Sequence, residues 1–442
     1  MTATPMAAGM SPQLLKVRER AKRDPQVTFL SLAHLIDEEA LTRAYHRLRK
    51  DAAVGVDGIT KEQYGQELEA NIRSLHSRLR TMRWRHQPIR RVHIPKGKGK
   101  TRPIGISSVE DKMVQDAVRE VLEAVYEPIF YDGSYGFRPG RSPHDALRSL
   151  NQALYKGEVN WILEADIQAY FDSIVRKMLM EMIQLRVADG ALRRLIGKCL
   201  HVGILDGEEY SEPDEGTVQG SVLSPLLGNV YLHYALDLWF ERDVRPRLRG
   251  KAHLVRYADD FVIGFEREDD AKRVMAVLGQ RFERFGLRLH PEKTRLLPFG
   301  RPSMGQKGGK GPATFDFLGF THYWQRTRGG RGWRPSLKTR TARLRRAITS
   351  VSDWCRRHRH WPIKEQHASL TRRLVGHFCY FGVNGNSRSL VVLRHKARRA
   401  WHKWLCRRSQ KAHISWARFE DLLRDFPLPA PRIRVQIWGA TP

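Results

Sequence analysis

The sequence predicts an α+β protein: a mixed domain of alternating strands and helices, followed by an all-helical and strongly basic domain. Three observations carry that expectation. Short runs rich in β-branched and aromatic residues alternate, as far as about Phe320, with stretches of three- and four-residue apolar spacing. From 336 to 411 the pattern is helical, and tryptophan and arginine are concentrated there. The charge is lopsided, with 78 Lys+Arg against 47 Asp+Glu and a formal net charge of +31.

Taken in order, residues 1–30 are polar and read as a mobile N-terminal segment, with KVRERAKRD a solvated helical piece. From Leu32 the pattern turns helical, Leu35, Ile36, Leu41, Tyr45 and Leu48 recurring on one face. GVDG (55–58) breaks it as a turn, and a further helix runs through Leu68, Ile72, Leu75 and Leu79. Residues 91–106 read as two short strands joined by a Lys/Gly loop. Glycine there lets backbone amides approach an anion, while Lys96, Lys98, Lys100 and Arg102 supply charge. Lys98 and Lys100 read more simply as solvated loop charges. Helix returns over 109–127, and the Gly/Pro/Arg segment GSYGFRPGRSPHDAL leads into another. A flexible linker, GRPSMGQKGGKGPAT (300–314), precedes the change in composition. No internal repeat is present.

Hydrophobic residues make up 41% of the chain, enough to build cores. A charge excess of this size repels itself unless a polyanion neutralises it, so nucleic acid is the leading partner. The excess is also uneven. Ten Arg/Lys lie between Arg331 and His360 against one acid, Asp353, and eight lie between Arg394 and Lys411 against none. Cys199, Cys355, Cys379 and Cys406 form no CxxC pair, which argues against a zinc knuckle or a disulfide framework. The opening MTATPMAAGM lacks the basic flank and apolar run of a signal peptide, and no apolar stretch approaches a membrane span. The expectation is a cytoplasmic protein with no membrane partner.

Two stretches carry chemistry. HLVRYADDFVIGF (253–265) reads as a β-hairpin with Asp259 and Asp260 at its tip. Adjacent carboxylates at a turn often do no more than stay in water, so the functional reading needs a third acid on a neighbouring strand. WILEADIQAYFDSI (161–174) offers Asp166 at the end of a mostly apolar run. Such a cluster suits phosphoryl chemistry, because Mg²⁺ prefers hard oxygen ligands and takes a carboxylate or two plus phosphate oxygens. Two such ions activate a hydroxyl and stabilise a leaving pyrophosphate.

At these residues the chain resembles the group II intron-encoded reverse transcriptases. Tyr257-Ala258-Asp259-Asp260 resembles their YADD box, and the resemblance runs in order from about Phe29 to Gln410. It passes through FLSLAHLIDEEALTRAYHRLRKDAAVGVDGIT, IPKGKGKTRPIGISSVEDKMVQDAV, YGFRPGRSPHDAL, ADIQAYFDSI, EGTVQGSVLSPLLGNVYLHYALDLWF, RYADDFVIGF, GLRLHPEKTRLLPFG and FDFLGF. Eight boxes in sequence are far more specific than any one of them. The resemblance implies a right-hand polymerase fold of fingers, an antiparallel palm sheet and a helical thumb (maturase) domain. It implies an N-terminal extension and the start of the fingers over 31–90, fingers and palm over 91–322, thumb over 323–414, and a short tail over 415–442.

The resemblance also implies site roles. Asp166, Asp259, Asp260 and the main-chain carbonyl of Ile167 would hold two Mg²⁺, with Mn²⁺ an accepted substitute. Lys96 and Arg102 would grip the triphosphate, Gln219 would pack on the incoming nucleotide, and Lys293 would neutralise or protonate pyrophosphate. Tyr170 falls at the steric-gate position. The plainer readings are that one of Tyr170 and Phe171 is a core aromatic, and that Lys293 is a surface charge.

Departures are informative. Relatives usually carry PQG followed by a second glycine, whereas this chain has Val218-Gln219-Gly220-Ser221, a change beside the nucleotide. The lead-in DGEEYSEPDEG (206–216) is acidic for a surface near a template. Residues 336–411, including LVGHFCYFGVNG, resemble the thumb; Trp401 and Trp404 at helical spacing read as core, and the arginines as an RNA surface. Paired cysteines of an HNH-type endonuclease are missing after the thumb, so second-strand cleavage is not expected. The implied partners are intron RNA as ligand and template, and a DNA primer or target; a homodimer is left open. Two other readings stand beside this one: a domesticated relative serving phage defence or repair, and an RNA-binding splicing factor whose polymerase site is silent.

Overall fold

Ser11 accepts a hydrogen bond from the Leu14 amide and proline occupies the first turn, so helix α1 (Pro12–Arg23) begins under a good N-cap. The computed structural model describes residues 10–97, 100–211, 215–217, 220–303, 313–327, 329, 332–410 and 413–439, without the side chains of 96, 97 and 100. Helices α2 (Glu38–Arg47), α3 (Lys61–Gly65) and α4 (Leu68–Arg80) follow, then strands β1 (Ile89–Gly97) and β2 (Lys100–Ile106) and helix α5 (Val109–Tyr126). Helix α5 is buried nearly all round, and both α1 and α2 pack against it. Its buried acids are matched from α2: Arg47 Nε donates to Asp116 Oδ2 at 2.6 Å and Arg43 Nη2 to Glu120 Oε2 at 3.3 Å.

This docking corrects the expectation of a mobile N-terminus. From Met10 onward the segment is folded, with Leu14 and Ala21 buried against α5. Two buried apolar side chains separated by two turns are too sparse to register as periodicity. Leu14→Ala is expected to cost about 2–4 kcal/mol, read as a fall in Tm. An unchanged Tm would mean that α1 contributes nothing.

Helix α6 (Pro143–Tyr155), strand β3 (Trp161–Asp166), helices α7 (Arg176–Gln184) and α8 (Gly190–Leu200), strands β4 (Ile204–Asp206) and β5 (Glu209–Ser211) and helix α9 (Ser224–Leu232) come next. One four-stranded sheet has the order β2-β1-β4-β5. After α9 the chain continues through two π-helical turns, His233–Asp237 and Phe240–Val244. Strands β6 (Ala252–Tyr257) and β7 (Asp260–Phe265), helix α10 (Glu268–Glu283) and strand β8 (Arg295–Pro298) complete the central sheet, whose order β6-β7-β3-β8 is antiparallel throughout.

Both faces of that sheet are buried. Leu163, Ala165, Leu254, Phe261, Ile263 and Phe265 face the core shared with α5, α9 and α10. Ile162, Val255 and Val262 point the other way, into a second core built from α6 and a three-stranded sheet. Strands β9 (Phe315–Phe317), β10 (Phe320–Arg326) and β11 (Trp333–Thr339) form that sheet, in the order β11-β10-β9. The boundary expected between 322 and 323 therefore falls inside β10, and residues 336–339 are strand rather than helix. Phe320 and Trp324 alternate inward on β10, a two-residue period hidden in sequence by the surrounding arginines.

Helices α11 (Thr341–Arg357), α12 (Ile363–Phe381) and α13 (Ser387–Leu405) then pack around Trp354, Leu370, Leu374, Leu393 and Trp401. Trp401 is fully buried and its indole donates to Gln366 Oε1 at 2.9 Å, while Trp404 is partly buried against the same core. The segment taken for a tail is folded as well. Helix α14 (Trp416–Asp425) buries Phe419 in this core, and Ile437 returns to the second core beside the central sheet. No helix among the described residues is long and apolar enough to cross a membrane.

Candidate active site

Strand register decides which acids meet. In the β3–β7 ladder Asp166 stands opposite Asp260, and in the β6–β7 hairpin Tyr257 stands opposite Asp260. The hairpin turns over Ala258 and Asp259, with Ala258 in the left-handed region at φ 57°. The ladder continues past the end of β3: Gln168 N donates to Arg288 O and His290 N to Asp166 O, both at 2.8 Å, bracketing a bridge between Ile167 and Leu289. These bonds come from the neighbours on either side, so the Ile167 carbonyl is not used by that bridge. The chain then turns tightly, Lys293 N donating to His290 O at 3.1 Å, and brings the Lys293 ammonium to 2.5 Å from Asp166 Oδ2. The fold thus places Asp166, Ile167, Asp259, Asp260 and Lys293 together.

Their electrostatics follow from crowding. Burial, with the charges of Asp259 and Asp166 behind it, pushes the Asp260 carboxyl up to about 7. Burial also raises Asp259, Asp166 adding to the shift, while the nearby guanidinium groups of Arg102 and Arg256 oppose it. Carboxylates forced together in this way favour a cation. Among the described residues no three carboxylate, imidazole or thiol groups close on one point as a ready metal cage. Hard carboxylate and carbonyl oxygens nevertheless fit a divalent ion whose remaining ligands are phosphate oxygens.

Around this cluster, Arg102 on β2 lies close enough to Asp259 and Asp172 to bear on both carboxyls. The Lys96 side chain and the whole of Gln219 lie outside the described residues. The loop that follows Gln219 is held from two sides. Gly220, at φ 111°, lies so near β2 that a Cβ there would stand 2.4 Å from the Gly105 carbonyl. Ser221 Oγ donates to Gln115 Oε1 at 3.1 Å, and Val222 N donates to the same oxygen at 3.1 Å. Ser221, at the usual glycine position, therefore anchors this loop to α5.

Tyr170 requires a correction. It is buried in the main core, and its hydroxyl donates to the Gly228 carbonyl at 2.5 Å, so its ring does not face a substrate sugar. Burial raises its pKa well above the ordinary value. Phe171, half-buried beside it, is the aromatic to which the sequence pattern assigns no role. The two rings pinch Gly228, where a Cβ would stand 3.2 Å from each. The signal was present as a pair of adjacent aromatics, of which only one can point inward.

With this geometry in view, the comparisons with known proteins decide the family. The family model for reverse transcriptase (RNA-dependent DNA polymerase) matches residues 94–322. The chain belongs to the reverse transcriptase family. The match begins in β1, ends in β10, and contains both β3 and the β6–β7 hairpin. Group II intron-encoded protein LtrA of Lactococcus lactis subsp. cremoris is 39% identical over 240 residues, 52% of this chain and 40% of LtrA. Protein YkfC of Escherichia coli (strain K12) is 32% identical over 280 residues, 56% of this chain and 74% of YkfC. An uncharacterized 91 kDa protein in the cob intron of Schizosaccharomyces pombe is 38% identical over 208 residues, 47% of this chain and 25% of that protein. This reverse transcriptase is thus similar to intron-encoded members of the family, while spanning under half the length of LtrA.

Proposed function

We propose that this chain is an RNA-directed DNA polymerase that copies intron RNA from a DNA primer, and that it also binds that RNA to assist splicing. In this reading the β2-β1-β4-β5 sheet serves as fingers, the β6-β7-β3-β8 sheet as palm, and helices α11–α13 as thumb. The observation that supports it best is the register of Asp166 against Asp260 with Asp259 at the adjoining turn, inside a reverse transcriptase match. Asp166, Asp259, Asp260 and the Ile167 carbonyl would hold divalent ions, Mg²⁺ with Mn²⁺ as substitute. Bound there, two such ions would lower the primer hydroxyl's pKa and stabilise the charge on the leaving pyrophosphate.

The chain's own residues do the rest. The primer 3′-oxygen attacks the α-phosphorus, the bond to pyrophosphate breaks, and the hydroxyl proton leaves to solvent. Arg102, with Lys96, binds the triphosphate, and Lys293 sets positive charge beside the pyrophosphate. Gln219 backs the nucleotide from the loop that Ser221 anchors.

Phe171 takes the gate role expected of Tyr170, its ring lying under the sugar. Phe171→Val is expected to weaken discrimination against ribonucleotides by about 10- to 200-fold in relative kcat/KM. Tyr170→Phe should leave discrimination unchanged. Single-nucleotide insertion with dNTP and rNTP on an RNA template reads both variants and the polymerase reading together. Unchanged selectivity in Phe171→Val removes the gate; no insertion by wild type removes the polymerase.

A further inference from the structure

Arg256 lies on β6, two residues before the turn that carries Asp259, and its guanidinium is completely buried. All three nitrogens are used. Nε donates to Asp237 Oδ1 at 2.9 Å and Nη2 to Asp237 Oδ2 at 2.5 Å. Nη1 donates to Asn229 Oδ1 and to the Ala258 carbonyl, each at 3.0 Å. Asn229 in turn donates from Nδ2 to the Gly136 carbonyl at 2.7 Å, and Gly136 lies so near the turn that a Cβ would stand 2.2 Å from the Ala258 amide nitrogen. The Arg256 backbone is pinned too: its N–H donates to Gly133 O and its carbonyl accepts from Tyr135 N, both at 2.8 Å. The segment GSYGF, conspicuous in sequence, is thus the cradle of the YADD turn.

Stability alone does not account for this arrangement. A buried ion pair loses the hydration of both partners, and well-packed apolar residues often serve a core as well or better. What the pair supplies is geometry. Asp237 grips the planar guanidinium by two nitrogens and so fixes its plane, which fixes where the remaining N–H groups point. One of them holds the carbonyl of Ala258, the residue in left-handed conformation that immediately precedes Asp259. Asp237 itself stands at the end of a π-helical turn, a helix irregularity frequent at functional sites.

We propose that Arg256 is a positioning residue: clamped by Asp237, it sets the Ala258 carbonyl and thereby aims the Asp259 carboxylate at the reacting phosphate. This rests on the polymerase reading given above. Lysine at 256 keeps the charge but has no planar fork, so it cannot hold Asp237 with two nitrogens and Ala258 with a third.

The test is primer extension by the full chain on an RNA template, measured for wild type, Arg256→Lys and Asn229→Ala. A control, Leu41→Ala, lowers Tm from α2, which packs chiefly against α5 and α4. Arg256→Lys is expected to lose on the order of 100-fold in kcat, the cost of a misplacement near 1 Å. The KM for dNTP should stay within about threefold, and the Mg²⁺ concentration for half-maximal rate should rise. Asn229→Ala should shift the same parameters in the same direction by less, and decides the matter if Arg256→Lys does not fold. Wild-type kcat and Mg²⁺ dependence in the folded variants would overturn the proposal, as would an equal fall in kcat in Leu41→Ala. If wild type itself extends no primer, the polymerase reading fails, a result distinct from normal extension by Arg256→Lys.

Discussion

Asp259→Asn is expected to lower primer extension by at least about 10³-fold, the loss of some 4 kcal/mol of transition-state stabilisation, with RNA affinity changed less than about twofold. An amide keeps the size of the side chain and loses the charge that a divalent ion needs. Stability should move the other way. Asp259 carries its negative charge half-buried beside Asp166, and both burial and that neighbour raise its pKa. Asp260 shows the same effect more strongly, its carboxyl pushed up to about 7.

The sign follows from linkage. A carboxyl whose folded pKa lies above its unfolded value binds more protons in the folded state, so stability falls as pH rises through that interval. For Asp260 the interval runs from the ordinary 3.8 to about 7. Asp260→Asn should therefore raise the Tm of the metal-free protein at pH 8, by a free energy no greater than about 4 kcal/mol and smaller where solvent screens the charge. At pH 4 the gain should vanish. Added Mg²⁺ should stabilise wild type and not this variant, because binding to the folded state alone shifts the unfolding equilibrium. Equal Tm values for the two proteins at pH 8, with and without Mg²⁺, would contradict the crowding of these acids. Full activity in Asp259→Asn would remove the site assignment.

The second large effect concerns RNA. Arg345, Arg346, Arg356, Arg357, Arg372 and Arg399 are exposed on helices α11, α12 and α13. Neutralising four phosphates there should cost about 100-fold in affinity between 50 and 200 mM salt, from a log–log slope of roughly −0.7 to −0.9 per phosphate. Replacing Arg345 and Arg346 by alanine should flatten that slope by about one for each phosphate no longer neutralised. A binding curve indifferent to salt would mean that these helices do not grip a phosphate backbone.

Much of the candidate site was legible in the sequence because it depends on local pattern. Short apolar runs, rich in β-branched and aromatic residues and with acids at their ends, identify β3 and β7, and neighbouring strands can place such ends side by side. The helices around them followed from apolar spacing, as did the burial of Trp401. What stayed hidden depends on partners distant in sequence. Leu14 docks on α5, about a hundred residues on, and with Ala21 makes too short a stripe for any periodicity to show. The last four residues of β11, 336–339, lie in the Arg-rich stretch whose pattern reads as helix.

Tyr170 and Phe171 are equivalent in composition, and only the Gly228 carbonyl, 58 residues on, determines which one turns inward. The role of Arg256 was hidden for the same reason. Its neighbours in sequence are the acidic pair, while Asn229 and Asp237 come from α9 and the π-helical turn that continues it, and Gly136 from a separate segment. Ser221 was visible as a departure, but its anchoring bond to Gln115 crosses 106 residues.

The most direct test of the central claim is run-off extension of a DNA primer on an RNA template of defined sequence, with dNTPs and Mg²⁺, against the same mixture in EDTA. Full-length complementary DNA formed only with Mg²⁺ is the expected result. No extension under either condition, in a protein that binds the same RNA tightly, would contradict the account and leave an RNA-binding protein whose acids do no polymerisation.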